Sequence, residues 1–184
     1  MRRRLLLFGL CALVSASAVS AQENVYRDYI LGYTFQPPTG WKLTEIKNRV
    51  GQVSLLQPLS RSLILVTVEA QPGQVDDGKP ATTAQLSQLS ATFSRRLGRS
   101  QLGKVYGNFK PLFNLPSRIG TFNSAELFFR GIPRKSQTAE GRVIVCIGSD
   151  KNRLVTITMI APSTDFDSLQ PSLLQVLRSF QLSE

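Results

Sequence analysis

Residues 32–43 read Gly-Tyr-Thr-Phe-Gln-Pro-Pro-Thr-Gly-Trp-Lys-Leu, and the punctuation of this stretch sets the fold. Tyr33 and Phe35 alternate with Thr34, so the two rings point to one side of a strand. Pro37-Pro38-Thr39-Gly40 forces a turn, because proline fixes φ and withholds an N–H while glycine accepts the left-handed region. From Trp41 to Glu45 the alternation restarts, giving a strand–turn–strand unit with Trp41 capping a corner of the core.

Outward from this unit the pattern predicts strands over Val53–Leu56 and Leu63–Val68, the second apolar at nearly every position and therefore covered on both faces. The segment from Gln71 to Pro80 reads as a loop. A helix is expected from Ala84 to Leu97, where Leu86, Leu89, Phe93 and Leu97 form one stripe, with a Thr82/Gln85 capping box and Gly98 as its stop. Lys104 to Phe122 reads as irregular, Ala125–Arg130 as a strand and Gly131–Gly141 as a basic polar loop. A hairpin of Val143–Ile147 and Leu154–Ile160 turns about Ser149–Asn152, and a final helix lies within Ser168–Phe180. Leu169, Leu173, Val176, Leu177 and Phe180 share one face of it, and Pro171 is expected in its first turn. This order predicts an α+β fold: an α-β-α sandwich with a central antiparallel sheet covered by helices on both faces.

At the amino end, Arg2-Arg3-Arg4 precede an apolar run from Leu5 to Val14 and a small-residue segment ending at Ala21. That is the charge, length and cleavage chemistry of a secretory leader, so residues 1–21 are expected to be removed and residues 22–184 to form a single domain. An uncleaved anchor is the competing reading, although seven of the seventeen residues from Leu5 to Ala21 are Ala or Ser. Lipidation at Cys11 fits less well, because Leu10 is large. The expected localisation is exported, periplasmic or extracellular. Cys146 then stands without a partner, and stability rests on packing.

Export leaves 19 basic residues against 12 acidic ones, a net charge of +7. Nine of the cations crowd between Arg95 and Lys135: Arg95, Arg96, Arg99, Lys104, Lys110, Arg118, Arg130, Arg134 and Lys135, with Glu126 as the only acid among them. This window carries +8, enough to attract an anionic partner over about 10 Å at moderate salt. A solvated surface and favourable end-charge on the helix dipole are the plainer uses of these side chains.

The chain contains no histidine, which removes Ser-His-Asp and Cys-His nucleophilic sites and histidine-ligated metals. Cys146, in "RVIVCIG", is expected to be a buried and inert thiol. Asp76-Asp77 and Asp165/Asp167 read as turn and helix-start acids in preference to ion ligands. No catalytic residue, metal ligand or cofactor is expected. Tyr106, Phe109 and Phe113 interleave with the cations as in some nucleic-acid faces, yet export argues against a nucleic-acid partner.

The segment "YILGYTFQPPTGWKL" and the closing "FDSLQPSLLQVLRSFQL" resemble the two ends of the PsbP family of extrinsic photosystem II proteins and its exported bacterial relatives, including the DcrB-like group. The resemblance implies an α-β-α sandwich and non-catalytic work as an accessory or binding subunit. In photosynthetic members basic side chains dock onto an acidic membrane complex. Metal sites that depend on histidine do not carry over. The expected function is a non-enzymatic accessory protein, a monomer that docks through the basic window onto an acidic protein complex or an anionic envelope surface, with peripheral membrane contact. The alternatives are a small-ligand carrier with a candidate pocket near Trp41, Phe109 and Phe113, and an extrinsic subunit of a photosynthetic complex. A hydrolase using Ser and Lys or two carboxylates ranks behind both.

Overall fold

The computed structural model describes residues 24–46, 49–70, 82–100, 102–134, 140–150 and 152–183. The leader, the Gln71–Pro80 segment with Asp76-Asp77, and Lys135 lie outside the described residues.

Seven antiparallel strands form the main sheet: β3 (Lys42–Glu45), β4 (Gln52–Gln57), β5 (Ser62–Ala70), β6 (Tyr106–Ile119), β7 (Phe122–Pro133), β8 (Gly141–Asp150) and β9 (Arg153–Pro162). Their spatial order is β3-β4-β5-β9-β8-β7-β6, so β3 and β6 are the edges. A second sheet of β1 (Tyr26–Asp28), β2 (Tyr33–Phe35) and β10 (Gln181–Leu182) has β2 at its centre. Helix α1 (Thr83–Arg99) lies over β6 and β7; a single turn, α2 (Leu102–Val105), follows it, and α3 (Phe166–Ser179) precedes β10.

Alternation along the strands feeds two cores. On one face Ile64, Val66, Ile144, Cys146, Ile157 and Met159 pack with Leu173, Val176 and Leu177 of α3 and with Tyr33 and Phe35 of the small sheet. On the other, Leu127, Phe129, Val143 and Val145 pack with Leu86, Phe93 and Leu97 of α1. The sandwich expected from the apolar middle strands is therefore present, and the small sheet joins α3 in covering one side.

Several local expectations need correction. The opening unit is not a hairpin: β2 belongs to the small sheet and β3 to the large one, so Pro37–Gly40 carries the chain between layers. Gly40 has φ +81°, the region the turn required of it. Trp41 packs against the α3-side core and donates from Nε1 to Ser172 Oγ at 3.2 Å, as expected of a corner cap.

The segment after Lys104 is not irregular but a 14-residue edge strand. Its period-2 signal is hidden because most side chains are exposed on both faces, and because the register shifts between Pro111 and Phe113. Likewise β7 extends to Pro133, into the expected loop. Helix α1 runs through Gly98 and stops at Ser100, whose N–H and Oγ both donate to the Leu97 carbonyl. The Thr82/Gln85 capping box is formed. Helix α3 starts at Phe166, so Pro171 is beyond its first turn. Proline there withholds the N–H that would otherwise donate to the carbonyl of Asp167, a residue exposed to solvent.

Candidate interaction surface

The eight described cations of the basic window fall in three places: on α1 and α2 with the nearby Arg134, on β6 and β7 at Lys110 and Arg130, and at Arg118 further along β6. Arg95, Arg96 and Arg99 are exposed on the last two turns of α1, where with Thr92 and Ser100 they border an open hollow of about 440 Å³. Helical spacing puts them there: Phe93 and Leu97 point into the core, so their neighbours point out. The Arg96 guanidinium stands 5.7 Å from the Phe93 ring centroid and 3.8 Å from Glu69. Lys104 continues this group on α2, and Arg134 is tied to it by an Nε–H bond of 2.8 Å to the Gly103 carbonyl.

Lys110 and Arg130 lie on the opposite face of the sheet. They are directly cross-strand, and the next strand places Arg142 opposite Arg130. The result is a row of three cations on β6, β7 and β8, which cross-strand repulsion disfavours without counter-charge. Glu140 supplies some of it, 4.0 Å from Arg130. Arg142 falls outside the window read from the sequence, and only strand register reveals it. Arg118 is isolated, eight positions and about 26 Å along β6 from Lys110, with its guanidinium donating to the Thr121 carbonyl at 2.6 Å. Among the described residues, no carboxylate stands within 4.0 Å of Arg95, Arg99, Lys104, Lys110, Arg118 or Arg134.

The aromatic pocket expected near Trp41, Phe109 and Phe113 is not assembled. Phe109 is buried in the α1-side core and Trp41 packs on the α3 side, so the sheet separates them. Phe113 crosses to the α3 side through the bulge and stacks on Phe128, ring centroids 4.1 Å apart, bordering a hollow of about 210 Å³ with Arg142 and Phe166.

Cys146 is fully buried, and burial, with a smaller push from Glu126, drives its thiol well above the usual value, which leaves it without nucleophilic character. Asp165 sits at the α3 N-cap without a side-chain cap bond; it accepts from Thr164 Oγ1 at 3.0 Å, while Asp167 lies in the first turn. Among the described residues there is no group of three or more Cys, Asp or Glu side chains able to hold a metal ion. No helix among them is long and apolar enough to cross a membrane.

No protein-family model matches the chain, and no curated protein does. Solved structures do match. Cyanobacterial PsbP (CyanoP) from Synechocystis superposes with a TM-score of 0.63 at 15% identity, covering 92% of this chain and 99% of that one. The Ran-binding protein Mog1p of Saccharomyces cerevisiae gives 0.54 at 10% identity, with 86% and 94% covered. LpqN of Mycobacterium tuberculosis, involved in cell envelope biogenesis, gives 0.54 at 11%, with 89% and 91% covered. At these identities the likeness is one of architecture, and the chain has the PsbP-like fold that its two ends resemble.

Proposed function

We propose that the protein is an exported, non-enzymatic accessory or binding protein that docks through the β6 edge onto an acidic protein complex or anionic envelope surface. The observation that carries this reading is the surplus of exposed cations on α1, α2 and the β6–β7 pair, with ion pairs only at Arg96 and Arg130 among the described residues of the window. The fold neighbours agree in kind, since one is named for binding Ran and another for envelope biogenesis. In this reading residues 1–21 are a cleaved leader, and mass spectrometry of the exported protein finds Gln22 as its first residue.

The docking test replaces Arg95, Arg96, Arg99, Arg134 and Lys135 by Gln. Association with envelope extracts in low salt is lost, and the wild-type association weakens as salt screens it. Unchanged association of the variant in low salt rejects the proposal.

A further inference from the structure

A groove of about 750 Å³ lies away from the β6 edge, between α3 and the small sheet. Its construction follows from periodicity on both sides. In α3, Phe166, Leu173, Val176 and Leu177 are buried, which leaves Pro171, Leu174, Gln175 and Arg178 as one outward strip at helical spacing. In the small sheet, Tyr33 and Phe35 point inward, so Thr34 points out, flanked cross-strand by Arg27 on β1 and Gln181 on β10. The strip and the outward row line the same groove. A 2.9 Å bond from the Gln36 N–H to Ser179 Oγ fastens the end of β2 to the end of α3 and fixes the two walls relative to each other.

Among the described residues no carboxylate lines this groove, and neither the Arg27 nor the Arg178 guanidinium has a hydrogen bond or an ion pair. Both side chains are exposed, and Leu174, 40% exposed, lies along the wall with Pro171. Gln36, Gln175 and Gln181 add amides able to meet a peptide backbone. Two forked cations, three amides and an apolar rail select a ligand with more than one negative charge and an apolar side chain. The groove is open along its length, so a compact molecule leaves much of its surface wet, whereas a linear chain fills it.

We infer that the groove between α3 and the three-stranded sheet is a second binding site, one that takes an extended acidic peptide, with carboxylates on Arg27 and Arg178 and an apolar residue against Leu174. It shares no residue with the β6 edge, so it stands or falls independently of the docking surface proposed above.

The test uses a fluorescein-labelled peptide of alternating Glu and Leu, its Gln-Leu counterpart, and polarisation titrations of the purified protein at low salt. The Glu peptide binds and the Gln peptide does not. Arg27→Gln and Arg178→Gln each weaken binding about tenfold, and Leu174→Gln weakens it as well. All three side chains lie at the surface, and a circular dichroism spectrum unchanged from wild type verifies each fold. Arg95→Gln/Arg96→Gln/Arg99→Gln binds as wild type does. Three outcomes overturn the inference: no binding up to about 1 mM peptide, binding indifferent to Arg27 and Arg178, or binding lost only in the α1 triple variant. Displacement of the peptide by free succinate at equal concentration also overturns it, in favour of a small dicarboxylate.

Discussion

The two faces of the central sheet are covered differently. Among the described residues, twenty buried hydrophobic residues form the core on the α3 side, drawn from both sheets and the last helix, whereas the α1 side has ten. Aromatic contacts tie the larger core together: Phe180 lies 5.6 Å from Tyr33 and 6.3 Å from Phe122 between ring centroids, joining three segments distant in the chain. On the α1 side the last two turns of the helix expose Arg95, Arg96 and Arg99. Most of the packing stability therefore resides on the α3 side, while exposed cations occupy both sides, Lys110, Arg130 and Arg142 on the α3-side face of the sheet among them.

The largest test of this division is Phe180→Ala. Phe180 is 1% exposed, and its loss costs about 3–5 kcal/mol, read as a fall in the urea midpoint. A cost near that of a surface substitution contradicts the assignment of the dominant core.

On the α1 side the expected effect is smaller. Thr82→Ala removes the bond from the Gln85 N–H and half of the capping box, for about 1 kcal/mol. Thermal melting measures it, and a loss as large as that of Phe180→Ala erases the distinction between the faces.

Legibility in the sequence divides along related lines. The two long helices and strands β4, β5, β8 and β9 announce themselves because one or both of their faces are buried, which imposes a period on the residues. Strand β6 has no such constraint, since only Phe109 and Ile119 along it are buried, and its prolines read as breaks. The small sheet escapes notice for another reason: β1 and β10 hold only three and two residues, and β10 reaches β2 only through pairing between chain ends, Gln181 with Thr34. The cations of the candidate surface are countable from sequence. Their division between two faces, and the addition of Arg142, depend on register and on the bulge near Pro111. Arg27 and Arg178 meet at one groove through tertiary folding alone.

The smallest expected effect at neutral pH concerns the tyrosines of the α3 side. Burial first, and then Glu45, pushes the Tyr26 phenol up to about 12, and burial pushes Tyr33 higher still. An unfolded tyrosine ionises near 10, so the native chain holds these protons more tightly than the unfolded one. Stability is then full below about pH 10 and falls as pH rises through the native values. Among the described residues the Tyr33 hydroxyl is buried without a hydrogen-bond partner, so Tyr33→Phe changes stability at pH 7 by less than about 1 kcal/mol while flattening the alkaline fall. Denaturant titrations at pH 7 and above pH 10 separate the two effects, and an unaltered alkaline slope in the variant removes Tyr33 from the explanation.

The edges of the main sheet allow the most direct test of the docking surface, because lysines mark both. Lys42 is on β3, at one edge, while Lys104 and Lys110 are at or beside β6, at the other. Acetylation footprinting of the protein with and without envelope extract, read by mass spectrometry, reports which edge is covered. Docking through β6 predicts that Lys104 and Lys110 become protected while Lys42 stays reactive; protection of Lys42 with Lys104 and Lys110 still reactive contradicts it.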